Sequence, residues 1–249
     1  MRIDFTGKTI VVTGATRGIG KQIADDLALL GADLILTGTH PEQIAELNQL
    51  AQSNNLRKTY YCVDLLNKES LDDFISKLDL HTKIDGLVNN AGINRLNFIN
   101  DILENDWEEM ISVNLSAPFL ILKAVSKKMI DHQYGRVINI ASIFSKISKE
   151  KRSAYSATKF GLHGLTVGVS NDLARHNILA NTLSPGFVMT DLTRKNLSTR
   201  EIEQLAGQVP AKRFAVVKDI SNVALFLLSE QNSYLTGQNI VVDGGFTNV

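Results

Sequence analysis

The chain has 249 residues, 44% of them hydrophobic, with 26 basic and 26 acidic side chains and a net charge of zero. That length and apolar content suit one large α/β core, and the neutral balance gives no global field for nucleic acid or an anionic membrane surface. A single cysteine, Cys62, excludes an intrachain disulfide and agrees with a reducing, cytoplasmic setting.

Taken in chain order, Thr9 to Thr13 is a short apolar, β-branched run expected as a buried strand. Gly14-Ala-Thr-Arg-Gly-Ile-Gly20 follows at once, and Lys21 to Leu30 has helical apolar spacing that Gly31 ends. Asp33 to Gly38 is a second strand, Pro41 opens a helix through Leu50, and Lys58 to Val63 is a third strand that ends at Asp64. Cys62 lies within it and is expected as a small core residue. Leu71 to Leu78 is an amphipathic helix, and Ile84 to Asn90 is a fourth strand leading into Ala91-Gly92.

A long helix is expected from about Asn105 to Met129, with Asn114 inside it, then a strand from Arg136 to Ala141. Ser153 to Arg175 is a helix, and Ile178 to Leu183 is a strand broken by Pro185-Gly186. Met189 to Gly207 is expected to hold short helices over a cleft. Asp219 to Ser229 is helical, and Asn239 to Asp243 is the last strand.

Strands alternating with helices of this length imply crossover connections. The expected fold is therefore α/β: one Rossmann domain over 1–249, a doubly wound parallel β-sheet with helices on both faces. Ligands are expected at the carboxyl ends of its strands. No linker composition, repeat or low-complexity tract marks a second domain. The amino terminus has no long apolar run, so neither a signal peptide nor an anchor is expected, and no window approaches the ~20 apolar residues that span a bilayer. His40, His81, His132, His163 and His176 form no HxxH or HExxH pair, and no metal site is expected.

Gly14, Gly18 and Gly20 form G-x-x-x-G-x-G between a strand and a helix. Glycines there let the backbone approach a pyrophosphate, and the helix start offers free N–H groups. An NAD site places an acid at the end of the second strand. Here that place reads Thr37-Gly38-Thr39-His40, while Arg17, Thr37, Thr39 or His40 can meet a 2′-phosphate. NADP(H) is therefore expected over NAD(H).

Tyr155 and Lys159 are four residues apart, about one helical turn, so they share a face. A lysine ammonium held near a phenol favours the phenolate and tunes the tyrosine for proton transfer. Ser142, at the carboxyl end of the fifth strand, can hydrogen-bond the same substrate oxygen. By itself the pair also fits an ordinary helix surface.

Together, Thr13 to Gly20, Asn89-Asn-Ala-Gly92, Asn114, Ser142, Tyr155-x-x-x-Lys159 and Pro185-Gly186 resemble the short-chain dehydrogenase/reductases in order and spacing, across the whole chain. The resemblance implies a single-domain, homotetrameric enzyme that moves hydride between a nicotinamide and a carbonyl/alcohol pair. It implies four catalytic residues. Tyr155 is the acid/base, Lys159 lowers its pKa and binds the nicotinamide ribose, Ser142 polarises the carbonyl, and Asn114 holds a water that links Lys159 to solvent. It further implies a cofactor lying along Gly14, Thr16, Arg17, Gly18, Ile19 and Gly20, then Thr37 and Thr39. Asp64 and Leu65 would border the adenine, and Asn90, Ala91, Gly92, Pro185, Gly186, Val188 and Thr190 would line the remainder. Val188 stands where the family often has isoleucine.

Within the family the resemblance is nearest to the 3-oxoacyl-[acyl-carrier-protein] reductases, which implies a small carbonyl substrate, carried as a carrier-protein or CoA thioester. Two features depart from that subfamily. Gln133 and His176 stand where basic residues meet the carrier protein, and Lys146, Lys149, Lys151 and Arg152 crowd the loop before Tyr155. Such a loop suits a phosphate or carboxylate on the substrate, as in an acidic or nucleotide-linked sugar. It equally suits a solvated loop in which Glu150 balances part of the charge. A non-catalytic NADP-binding relative is the remaining alternative, and the intact Ser142, Tyr155 and Lys159 argue against it.

Overall fold

The first strand, β1 (Thr9–Val12), buries Ile10, Val11 and Val12 completely and is an interior strand, third from one edge, of a seven-stranded sheet. Strands buried on both faces read as unbroken apolar runs, which is why these segments lack alternation. In the computed structural model, residues 3–248 are described. The amino-terminal reading rests partly on Met1 and Arg2, which lie outside them. The sheet order is β3 (Lys58–Cys62), β2 (Asp33–Gly38), β1, β4 (Gly86–Asn89), β5 (Gly135–Ile140), β6 (Ile178–Pro185) and β9 (Asn239–Val242). Every pairing is parallel.

The helices α1 (Gly18–Leu29), α2 (Pro41–Ser53) and α9 (Val217–Leu228) cover one face over Ile23, Leu27, Leu36, Val88 and Leu225. The helices α3 (Lys68–Asp79), α4 (Glu104–Ile111), α5 (Ala117–Asp131) and α6 (Ser153–Leu173) follow the chain along the other, over Val11, Phe74, Ile121 and Val137. The order reverses between β1 and β4, so a crevice opens where the loops after these two strands part. This is the expected doubly wound α/β fold.

The structure adds features that the sequence did not announce. A π-helical turn, Ser112–Ser116, joins α4 to α5 and contains Asn114. A second, two-stranded parallel ribbon pairs β7 (Val188–Met189) with β8 (Ala215–Val216). Between them α7 (Asp191–Asn196) and α8 (Thr199–Gln208) form the expected helical flap.

Two expectations are corrected. Cys62 is exposed, because β3 is the edge strand and only one neighbour covers it. The helical run Glu104–Asp131 does reach the length and mean hydropathy (1.2) of a candidate membrane span. Its apolar residues Ala117, Ile121, Leu122, Val125 and Met129 are buried against the sheet, which accounts for that hydropathy.

Candidate active site

The glycine loop leaves β1 with Gly14 at φ 63°, a left-handed conformation that favours glycine. Its N–H donates to the Thr37 hydroxyl over 3.1 Å. Thr13 Oγ1 accepts the N–H groups of Asn90 and Ala91, while Asn90 Nδ2 donates to the carbonyls of Thr13 (2.9 Å) and Gly14 (3.0 Å). A Cβ on Gly20 would come within 2.3 Å of that amide nitrogen. Gly20 thus lets the loop after β4 pack under the glycine loop, and Asn90 ties the two together.

The resulting cleft, about 430 Å³, is lined by Gly14, Thr16, Arg17, Gly18, Ile19, Thr37, Thr39, Asp64, Leu65, Asn90, Ala91, Gly92 and Thr190 among the expected residues. It adds Gly38, Val63, Leu66, Ile93, Val113 and Asp191. Val113 and Ile93 carry no motif, and only their adjacency to Asn114 and Gly92 could have marked them. Gly20 and Pro185, Gly186 and Val188 lie outside its lining. A Cβ on Gly186 would meet Asp243 at 2.7 Å, so that glycine serves the approach of β6 to β9. Thr37 is buried with its hydroxyl accepting from Gly14, while Arg17, Thr39 and His40 are exposed at that end.

The cleft suits a dinucleotide. The glycine backbone is open to a pyrophosphate, the helix α1 starts at it, and no acid follows β2.

Beyond the cleft, the buried side chains of α6 hold it against the sheet. Asn89 Nδ2 donates to Asn139 Oδ1, and Asn139 Nδ2 donates to Thr166 on α6, each over 2.8 Å. Lys159 is 3% exposed, and its Nζ donates to the Ile140 carbonyl over 2.9 Å. Burial lowers its pKa from the ordinary 10.5 to about 8. A Cβ on Gly92 would lie 3.6 Å from that Nζ, so the lysine borders the wall of the cleft.

Burial raises the pKa of Tyr155, and the Ser142 side chain and the Arg152 charge oppose the rise. Lys159 is absent from these influences; its Nζ lies 5.6 Å from the Tyr155 ring centroid. The Lys159 ammonium thus stands within reach of the phenol, beside Ser142 and Arg152. Phe144 meets the Tyr155 ring edge-on at 6.2 Å.

Asn114 is fully buried. Its Oδ1 accepts from the Ile93 N–H, and its Nδ2 donates to the Ile93 carbonyl (both 2.8 Å) and to Thr158 Oγ1 (3.2 Å). From within the π-helical turn the side chain thus braces the cleft wall to α6. Such turns recur at functional sites because they displace carbonyls from the helical ladder.

The sequence reading missed a positioning network behind Ser142. Ser145 Oγ donates to the Ser142 carbonyl (2.7 Å) and accepts from Asn239 Nδ2 (3.0 Å). Ser184 Oγ donates to Asn239 Oδ1 over 2.6 Å. This ties the Ser142 loop to β6 and β9 through short polar side chains that carry no sequence period.

The four loop cations separate in space. Lys146 Nζ donates to Thr247 Oγ1 (3.2 Å) and Asn248 Oδ1 (3.0 Å), away from the site. Lys151, at φ 62°, places its ammonium 4.7 Å from the Phe98 centroid. Arg152 is half-buried with its guanidinium 5.0 Å over Phe144. Among the described residues none of them forms an ion pair with Glu150.

A switch-point cleft beside a serine, a tyrosine and a buried lysine is the arrangement of a nicotinamide oxidoreductase. The profile described as short chain dehydrogenase matches residues 8–201, and the chain belongs to the short-chain dehydrogenase/reductase family of oxidoreductases acting on CH–OH or carbonyl groups. Among its relatives, the 3-oxoacyl-[acyl-carrier-protein] reductase FabG of Aquifex aeolicus is 39% identical over 98% of this chain and 99% of its own. The gluconate 5-dehydrogenase of Gluconobacter oxydans is 32% identical over 98% of this chain and 96% of its own. A crystal structure of a gluconate 5-dehydrogenase from Burkholderia cenocepacia, in complex with NADP and tartrate, superposes with a TM-score of 0.91 at 31% identity, covering 99% of this chain and 97% of that one.

Proposed function

We propose that the chain is an NADP(H)-dependent reductase of a carbonyl group, with a 3-oxoacyl thioester on a carrier protein or CoA as the first candidate substrate. The observation that carries the chemistry is the placement of Tyr155 and the buried Lys159 beside Ser142 at the carboxyl end of β5, against the wall of the dinucleotide cleft. Bound NADPH would supply the hydride. Ser142 and Tyr155 donate hydrogen bonds to the substrate oxygen as it gains negative charge, and Tyr155 passes it a proton. Lys159 would hold the nicotinamide ribose, Asp64 and Leu65 the adenine, and Val188 with Thr190 the carboxamide. Arg17 and Thr39, exposed, with Thr39-His40 in place of an acid directly after β2, support NADP(H) over NAD(H).

The thioester reading is supported by the Aquifex reductase and its near full-length match. The second reading, an anionic or nucleotide-linked sugar, is favoured by the gluconate 5-dehydrogenase relatives and the loop cation at Tyr155. A homotetramer in the cytoplasm is carried by the family resemblance.

The test is a matrix of NADPH and NADH against an acetoacetyl thioester and a panel of keto sugars. Turnover of the thioester with NADPH alone is the expected result. Comparable kcat/KM with NADH would overturn the cofactor assignment, and turnover confined to the keto sugars would establish the second reading.

A further inference from the structure

We infer that Arg152 is the substrate's anion receptor: its guanidinium receives a carboxylate or phosphate oxygen of the molecule whose carbonyl meets Tyr155. The inference rests on the carbonyl-reductase reading above.

Arg152 stands three residues before Tyr155 and at the N-cap of α6, where its side chain makes no capping hydrogen bond. Its planar group lies over the Phe144 face at 5.0 Å, and Phe144 in turn meets Tyr155 edge-on. The ring satisfies none of the guanidinium N–H donors, and a guanidinium can meet an oxyanion in bidentate fashion. Among the described residues the guanidinium has no hydrogen-bond acceptor and no carboxylate within ion-pair distance.

That arrangement works against folding. Burial alone makes the charged form of Arg152 less favourable, and a cation beside the N-terminus of a 21-residue helix faces the positive end of the helix dipole. Among the described residues the other half-buried or buried lysines and arginines have oxygen partners. Lys58 pairs with Asp25, Lys8 with Glu230, and Lys159 bonds the Ile140 carbonyl. Arg152 is set apart by lacking one beside the tyrosine. An incoming oxyanion would relieve both costs at once. The rest of the loop does not compete for it: Lys146 is engaged by Thr247 and Asn248, and Lys151 lies over Phe98.

The test uses the full chain with and without saturating NADPH, titrated calorimetrically with succinate in one arm and glycerol 3-phosphate in the other. The two arms separate a carboxylate from a phosphate source. Binding in at least one arm is expected, weakened about ten- to hundredfold in Arg152→Met and less in Arg152→Lys, which keeps the charge without the fork. Lys149→Gln, an exposed change on the same loop, is expected to leave binding unaltered. A second readout compares a keto acid with its methyl ester, and the acid/ester ratio of kcat/KM is expected to collapse in Arg152→Met through KM.

No binding of either anion by the wild type, equal binding by Arg152→Met in a folded variant, or an equal loss in Lys149→Gln would each overturn the inference. Arg152-dependent anion binding with no carbonyl reduced would preserve it and overturn the proposed function. Reduction without any acid preference or anion binding would do the reverse.

Discussion

The two ends of the sheet treat buried cations in opposite ways. At the amino ends of the strands, Lys8 pairs with Glu230 at 2.8 Å and lies 3.9 Å from the Tyr134 centroid. Arg136, 3% exposed, lies 4.5 Å from the same ring centroid and donates to the carbonyls of Gly135 (2.8 Å) and Asn177 (2.9 Å). Lys83 pairs with Asp85 at 2.8 Å. At the carboxyl ends, Lys159 has a single carbonyl and Arg152 an aromatic face, with no carboxylate for either. Among the described residues, each cation at the amino ends has a carboxylate or, for Arg136, two carbonyl oxygens, whereas at the carboxyl ends Lys159 has one carbonyl and Arg152 no oxygen partner, which leaves donors available to a ligand. The difference marks the working end of the molecule independently of any motif.

The sharpest test of that division is Tyr155→Phe, which removes the proton donor and leaves the packing against Phe144. It is expected to lower kcat by about 10²- to 10⁴-fold. NADPH binding, followed by fluorescence titration, is expected to persist. Retention of most of kcat would show that the carboxyl end does not work as argued.

The complementary change at the amino end is Arg136→Met. It strips two carbonyls of a charged donor and Tyr134 of a cation, at an expected cost of about 2–4 kcal/mol in urea unfolding. KM and kcat of the folded fraction are expected to stay at wild-type values. A variant that folds normally but loses activity would break the comparison, because it would place a functional cation at the wrong end.

Much of the working end is legible in the sequence because backbone demands repeat as residue types. Gly14 needs a left-handed φ, Gly20 needs room for Asn90, and the Tyr155–Lys159 spacing needs a helix. The strands are legible as β-branched apolar runs, and Asp33–Gly38 has the expected bounds. What escapes is long-range. The Ser145–Asn239–Ser184 network joins residues 94 and 55 positions apart through short polar groups, and such contacts leave no period. The ribbon of β7 and β8 is too short for one. Cys62 reads as core because β-branching and aromatics do not say which strand lies at the edge. Lys146, Lys149, Lys151 and Arg152 look equivalent on the page, and only the fold sends Lys146 to the carboxyl-terminal turn and Arg152 to Tyr155.

Lys159 and Lys8 extend the comparison to pH. Burial lowers the Lys159 pKa to about 8, so between there and the ordinary 10.5 the unfolded chain binds the extra proton and stability rises with pH. Lys159→Met is expected to abolish that rise and, at neutral pH, to increase stability by about 1–3 kcal/mol while activity is lost. Denaturant midpoints measured from pH 7 to 10.5 would show it. An unchanged slope would mean that the ammonium is better solvated than its burial implies.

Lys8 has the opposite sign. Burial pulls its pKa down, but Glu230, Tyr134 and Asp85 outweigh this and leave it raised above 10.5. Its contribution is therefore complete below 10.5 and fades as pH climbs through the higher folded value. The partner's carboxyl is held below its usual 4.5, first by the hydrogen bond from Lys8, so its share is present above 4.5 and fades on acidification. Glu230→Gln tests the pair. Because Glu230 is 70% exposed, the expected loss is under about 1 kcal/mol and is smaller still at high salt. The wild-type advantage is expected to be flat from pH 5 to 10 and to shrink below about 4.5, where Glu230 protonates. A loss several times larger would mean that Lys8 depends on Glu230 as an unpaired buried charge would. The amino end would then share the vulnerability here assigned to the carboxyl end. A loss indistinguishable from zero would place the counter-charge of Lys8 on the Tyr134 face and Asp85, leaving the contrast between the two ends intact.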